Sequence, residues 1–172
     1  MRLTAILAVS RDGAIGSTTS PTGMPWPRLQ RDLRRFREAT MGKVCLVGRR
    51  TYDGLPRLPG RRLAVLTRKG ASLHVPAATS LHSAHRSVDD ALAFLAGEQD
   101  AVVIGGAEVY RALLHRCDRL LLTVVERDYP DADVRLDRPD ALTAGLVCLA
   151  RECHQPDESN PVGVTFSEWV RP

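Results

Sequence analysis

Cysteine is scarce in this chain and poorly spaced for chemistry. Cys45, Cys117, Cys148 and Cys153 include no C-x-x-C pair, which argues against a zinc site or a redox dithiol. Cys45 lies within an apolar run, where a thiol behaves as a small hydrophobe. His82 and His85 stand three apart with no acid or thiol at ligand spacing, so no metal is expected. Aromatic residues make up only 5% of the chain and its basic residues are dispersed, which weakens a nucleic-acid reading despite a net charge of +4 and a pI near 9.2. No apolar run approaches the ~18 residues of a helical membrane span, and MRLTAILAVSRDG reads as a strand rather than a secretory signal. The chain is therefore expected to be soluble and cytoplasmic, without a membrane or nucleic-acid partner. No repeat or low-complexity tract occurs.

What is present suits one globular domain over residues 1–172: 44% of the residues are hydrophobic, enough for a real core. LTAILAV (3–9), KVCLVG (43–48), LAVLTR (63–68), AVVIGG (101–106) and RLLLTVVERD (119–128) read as strands, several of them continuous apolar runs suited to burial on both faces. Helices are expected at about 28–40, at 87–97 behind the Ser87–Asp90 capping pattern, and at 107–115. RRTYDGLPRLPGRR (49–62) reads as a short helical turn and a Pro-Gly turn, and a further short strand is expected near 79–82. Residues 10–27, rich in Gly, Ser, Thr and Pro, form a long loop, and long loops inside compact domains are usually functional. About 133–172 reads as a hairpin of two short strands. The expected fold is α/β: a mostly parallel central sheet of about eight strands with an antiparallel C-terminal edge hairpin, flanked by about four helices.

The helix at 28–40 carries an anomaly. Leu29, Leu33 and Phe36 form one apolar stripe, and Asp32 falls on that same stripe, while Gln30, Arg31, Arg34, Arg35, Arg37 and Glu38 take the other side. An acid near a helix N-terminus gains about 0.3–1 kcal/mol from the macrodipole, and an ion pair one turn away about 0.2–0.5 kcal/mol. Both gains are available on the exposed face, so neither explains an inward acid. A partner other than the protein's own bases is implied. An Asp32 turned to bulk water, or locked against an internal arginine, would remove that implication.

In open parallel sheets, ligands bind beyond the carboxyl ends of the strands. Three such ends here combine glycine, arginine and hydroxyls: Gly105-Gly106 before AEVY, Gly48-Arg49-Arg50-Thr51, and Thr67-Arg68-Lys69. Glycine admits close backbone approach and arginine forks suit phosphate. Each end alone is an ordinary turn or a solvated cation; together they suit a dinucleotide.

In order along residues 1 to about 136, Ala8-Val9, Ile15-Gly16, Met24-Pro25-Trp26, Asp32-Leu33 with Phe36, Gly48-Arg49 with Thr51, Leu58-Pro59-Gly60-Arg61, Ile104-Gly105-Gly106 with Val109-Tyr110, and Leu122-Thr123 resemble the dihydrofolate reductase family. The resemblance implies hydride transfer from NADPH to C6 of 7,8-dihydrofolate with protonation at N5, giving the tetrahydrofolate used in one-carbon metabolism and nucleotide biosynthesis. It implies that Asp32 pairs with the pterin 2-amino group and N3, with Trp26 and Thr123 as its catalytic companions. Ala8, Leu33, Phe36, Leu55 and Ile104 would line the substrate pocket, and Arg61 would grip the glutamate α-carboxylate. Ala8, Ile15 and Gly16 would meet the nicotinamide, with Met24 and its loop closing over the site. Gly105-Gly106 resembles the family's cis Gly-Gly bond. Gly48, Arg49, Arg50, Thr51, Thr67, Arg68 and the Ala107, Glu108, Val109, Tyr110 stretch would hold the rest of NADPH, the arginines taking the pyrophosphate and the 2′-phosphate. A monomer is expected.

Some features depart from the family pattern. The first loop is lengthened by Arg11-Asp12-Gly13-Ala14 and by STTSPTG, and Trp26 to Asp32 is six residues, with Pro27 as the insertion. Tyr52 stands where Trp is frequent, and Ala107 replaces a third glycine. Two alternatives stay open at this level. One is another NADPH reductase on the same fold, such as the pyrimidine reductase of riboflavin synthesis, which lacks the M-P-W…D arrangement. The other is a cofactor-binding module without turnover.

Overall fold

The structure, a computed structural model, describes residues 1–68 and 82–172. Within them the strands are β1 (Arg2–Ser10), β2 (Ala14–Gly16), β3 (Val44–Gly48), β4 (Arg62–Leu66), β5 (His82–His85), β6 (Asp100–Val103), β7 (Arg119–Val125), β8 (Val134–Arg135), β9 (Val147–His154) and β10 (Val164–Val170). The helices are α1 (Gln30–Thr40), α2 (Arg49–Gly54), α3 (Val88–Leu95), α4 (Ala107–Leu113) and α5 (Pro139–Leu142). Eight strands form one sheet in the order β5-β4-β3-β6-β1-β7-β10-β9, and β2 pairs with β8. This is the expected mostly parallel sheet with antiparallel edge strands. The chain divides into two compact units, Met1–Ala5 with Glu38–Cys117, and Ile6–Arg37 with Asp118–Pro172.

In the first unit, β3 runs parallel to both β4 and β6, with Leu46 opposite Ala64 on one side and Val103 on the other. Cys45, Leu46 and Val47 are fully buried, as a strand flanked by two others and covered on both faces requires. Burial pushes the Cys45 thiol up to about 12, which leaves it protonated and unreactive. The cap expected on α3 is present: the Ser87 hydroxyl accepts from the Asp90 amide at 3.0 Å, and the Asp90 carboxylate accepts from the Arg86 amide at 3.1 Å.

In the second unit, β10 pairs antiparallel with β7, placing Phe166 opposite Thr123 and Ser167 opposite Leu122. Its other edge pairs with β9, which is exposed along nearly its whole length. One hydrophobic cluster of this unit is Trp26, Leu29, Val125, Val162 and Val164, with Ala8, Tyr129 and Phe166 packed against it.

Several details differ from the sequence reading. Residues 10–27, read as a loop, contain β2, which pairs with the two-residue β8 ahead of the C-terminal hairpin. A fifth helix, α5, is a single turn opened by Pro139 at its first position, too short to show any apolar period. The strand expected near 79–82 begins at His82 as β5; residues 79–81 lie outside the described residues.

Candidate active site

The second unit holds the acid. Asp32 lies in the first turn of α1, on the side that buries Leu29. Burial is the largest influence on its carboxyl and raises its pKa above the usual carboxylate range; a hydrogen bond from Thr123 and the charge of Arg35 pull in the opposite direction. Thr123, on β7, is 1% exposed, so its hydroxyl needs partners within the fold. The Asp32 carboxyl is thus turned inward, as expected, while the residue as a whole is half-buried.

The outward placement of Arg35 is corrected. Its Nη1 donates to Leu122 O at 2.8 Å and to Thr123 Oγ1 at 3.0 Å, and its Nη2 donates to Ser167 O at 2.8 Å. The guanidinium also lies 4.6 Å from the Phe166 ring centroid. An arginine stem is long enough to lie along an apolar surface and deliver its head to strand carbonyls, so helical spacing alone misassigns it. None of these hydrogen bonds reaches the Asp32 carboxylate, so an internal arginine is near the acid without being locked to it. Arg31 is likewise engaged, through an ion pair with Asp157 at 2.6 Å and a hydrogen bond to Gln155 O at 3.0 Å.

Around the acid, Leu33 is 43% exposed and Phe36 is half-buried, so of the apolar stripe only Leu29 belongs wholly to the core. Trp26 is buried in the apolar cluster and meets Tyr129 edge-on, with ring centroids 5.8 Å apart. Ala8 is half-buried, Ile15 is buried on β2, and Met24 is exposed. Besides the β2–β8 pairing, Thr18 and Asp12 tie down the loop from β1 to α1. The Thr18 amide and hydroxyl both donate to the Asp133 carboxylate. Asp12 accepts from Ser10, the Tyr129 amide and Arg135; burial pushes its carboxyl up, but these partners prevail and hold it at about 2.

The first unit holds Gly48, Gly105 and Gly106, while Gly16 is buried on β2 in the second. The Gly48 amide donates to Gly105 O at 2.7 Å, which joins the ends of two predicted binding segments, and the Gly105–Gly106 peptide is cis. Side chains have no room there: a Cβ on Gly48 would lie 2.9 Å from Val109 Cγ2, and one on Gly106 would lie 2.6 Å from Thr51 Oγ1. Gly48, Thr51, Gly105, Gly106, Val109 and Tyr110 are therefore one packed cluster. Ala107 and Glu108 open α4 beside them, Glu108 exposed and Ala107 partly so, while Ile104 is buried and donates its amide to Leu46 O at 2.9 Å.

The cations of this unit are less uniform. Arg50 is exposed; Arg49 pairs with Asp53 at 2.8 Å; Arg68 is almost wholly exposed, 3.9 Å from Glu108. Exposed pairs of this kind contribute about 0–1 kcal/mol, so a bound phosphate can displace them. Thr67 is buried with its amide on His85 O at 2.9 Å, and Lys69 lies outside the described residues. Arg61 is buried; its Nε donates to Pro59 O at 3.1 Å and its Nη1 to Thr40 Oγ1 at 3.4 Å. Leu55 caps α2 and is half-buried. Among the described residues no cluster of His, Cys, Asp and Glu is arranged to hold a metal, and no helix is long and apolar enough to cross a membrane.

Known proteins share both the sequence and the fold. The family model for dihydrofolate reductase matches residues 2–171. "Dihydrofolate reductase type 8" of Escherichia coli is 39% identical over 143 residues, 80% of this chain and 81% of that protein. "Dihydrofolate reductase type 3" of Salmonella typhimurium is 36% identical over 171 residues, 96% of each. A solved structure, "Dihydrofolate reductase from Enterococcus faecalis complexed with NADP(H) and RAB-propyl", superposes with a TM-score of 0.80 at 25% identity, over 99% of this chain and 96% of that one. The ordered motifs, the inward acid and the paired glycines thus occur in a chain that belongs to the dihydrofolate reductase family.

Proposed function

We propose that this chain carries out the family's reaction, the NADPH-dependent reduction of 7,8-dihydrofolate to tetrahydrofolate, with Asp32 as its catalytic carboxylate. The observation that carries the assignment is the inward acid on α1, pushed up by burial and linked to a buried hydroxyl rather than to a base. A carboxylate so placed gains most from a cationic or hydrogen-bond-donating guest, because charge-assisted bonds strengthen as water is excluded. The 2-amino group and N3 of a pterin are such donors.

Asp32 then has two tasks. It orients the ring through those two donors, and its negative charge favours the protonated pterin, raising the basicity of N5 while it is bound. Thr123 holds the carboxylate through its hydroxyl. Leu33, Phe36 and Leu55 offer apolar surface to the pterin and aminobenzoyl rings, with Ala8 and Ile104 as further lining. Trp26 sets the end of the loop that leads into α1, and Arg61 is assigned to the glutamate α-carboxylate.

NADPH supplies the hydride when bound. The chain's residues suit it: Gly48 and Gly106 have no room for a Cβ because Val109 and Thr51 pack against them, which lets the two strand ends close together at the start of α4. We assign Thr51, Thr67, Arg49, Arg50 and Arg68 to its phosphates, Ala107 to Tyr110 to its contacts along α4, and Ile15, Gly16 and Met24 to the nicotinamide side. The proposal extends to a cytoplasmic monomer without a nucleic-acid partner, for which sedimentation of the purified protein is the check on oligomeric state.

The test is the absorbance of NADPH followed with dihydrofolate added. Oxidation that depends on both is the expected result. Its absence, or turnover only with an aminopyrimidine substrate, refutes the assignment.

A further inference from the structure

The Asp32–Thr123 pair does not stand alone in the second unit, because the Thr123 hydroxyl has a second partner. A threonine hydroxyl owns one proton and can accept as well as donate. Here it accepts from Arg35 Nη1 at 3.0 Å, which leaves its single proton for the carboxylate. Arg35 itself is fixed by four contacts on two strands: Leu122 O and Thr123 Oγ1 on β7, Ser167 O on β10, and the Phe166 ring face. Those contacts hold the cation against the Thr123 hydroxyl.

We propose that Arg35 is a positioning residue for the reaction: its fork, held by the carbonyls of Leu122 and Ser167, aims the Thr123 hydroxyl at Asp32 and sets the charge felt at the pterin site. This rests on the assignment of Asp32 to the pterin. The electrostatic consequence has a definite sign. A cation near Asp32 favours its ionised form and disfavours a proton on the bound substrate, so it lowers both titrations. The other charges around Arg35 are Glu168 on β10, Glu152 on β9 and Arg119 on β7, the last paired with Glu168 at 2.6 Å. His154 on β9 is 3.3 Å from Glu152 and edge-on to Phe166, which makes it the histidine to control for. On α1 itself the partner is Asp32.

The experiment compares the parent with Arg35→Met and Arg35→Lys. Two readouts are taken from pH 4 to 9: the single-turnover rate of NADPH oxidation with dihydrofolate, and the affinity for folate measured calorimetrically. Arg35→Met should move the alkaline limb of the rate and the acid limb of folate binding to higher pH, each by about one unit. Arg35→Lys, which keeps the charge, should shift less. The shift should persist in a His154→Gln background and shrink in a Thr123→Val background, where the relay is already cut. Should Arg35→Met not fold, Arg35→Gln, which removes the charge and keeps a polar head, carries the test and must shift the limbs the same way. Profiles that superimpose on the parent's, or a shift that vanishes with His154→Gln, overturn the role of Arg35. A parent that neither oxidises NADPH with dihydrofolate nor binds folate refutes instead the functional assignment beneath it.

Discussion

Replacing Asp32 with asparagine should separate stability from activity, in opposite directions. The carboxyl is raised by burial even after Thr123 and Arg35 have pulled it down, so the shift is a net statement about the folded chain. A raised acid binds its proton more tightly folded than unfolded. Stability therefore declines as pH rises from the unfolded value, 3.8, through the folded one, and the loss is complete above it. Asparagine mimics the protonated form and escapes that loss. Each kcal/mol recovered raises the melting temperature of a chain this size by about 2–4 °C. The Asn variant should thus melt higher than the parent near pH 7, and the gap should close as pH falls toward 4. Turnover should fall by about 10²–10⁴ at pH 7, the scale of acid–base assistance, and recover in part at acid pH, where free substrate is already protonated. Scanning fluorimetry over pH 4–8 and stopped-flow NADPH oxidation read both effects. A variant that is destabilised at neutral pH, or whose turnover equals the parent's, contradicts the reading of a carboxylate kept buried for its substrate.

Three further outcomes bear on the remaining residues. Arg61→Leu should weaken folate binding more than NADPH binding, by titration of each ligand; equal losses would mean that the contacts of Arg61 with Pro59 and Thr40 are purely structural. The double substitution Arg49→Ala and Arg68→Ala should narrow the preference for NADPH over NADH, and an unchanged ratio of kcat/KM would move the 2′-phosphate elsewhere. Gly48→Ala should lower the melting temperature because its Cβ meets Val109 Cγ2 at 2.9 Å, while adding Val109→Ala should restore most of it; no rescue would point to a backbone effect.

The residues assigned here to ligand recognition were largely legible in the chain, for a physical reason. An acid on an apolar stripe and glycines at strand ends violate local preference, and such violations persist where a site demands them. Asp32, Gly48, Gly105 and Gly106 stand out in this way in the sequence alone. The strands did too, since buried parallel strands are continuous apolar runs. The C-terminal hairpin was visible as two short strands, but the single turn of α5 was not, because four residues carry no period.

Arg35 marks the limit of that approach. Helical spacing places its Cα on the basic side of α1, and nothing in the local sequence says that its guanidinium crosses to Leu122 O and Ser167 O. Those acceptors lie 87 and 132 residues away, and they come together only through the pairing of β7 with β10. The identity of the chemistry was thus written into spacing and residue type, which act over a few residues. The electrostatic setting of the acid was decided by tertiary structure, because burial and charge depend on what the fold brings close and not on order along the chain.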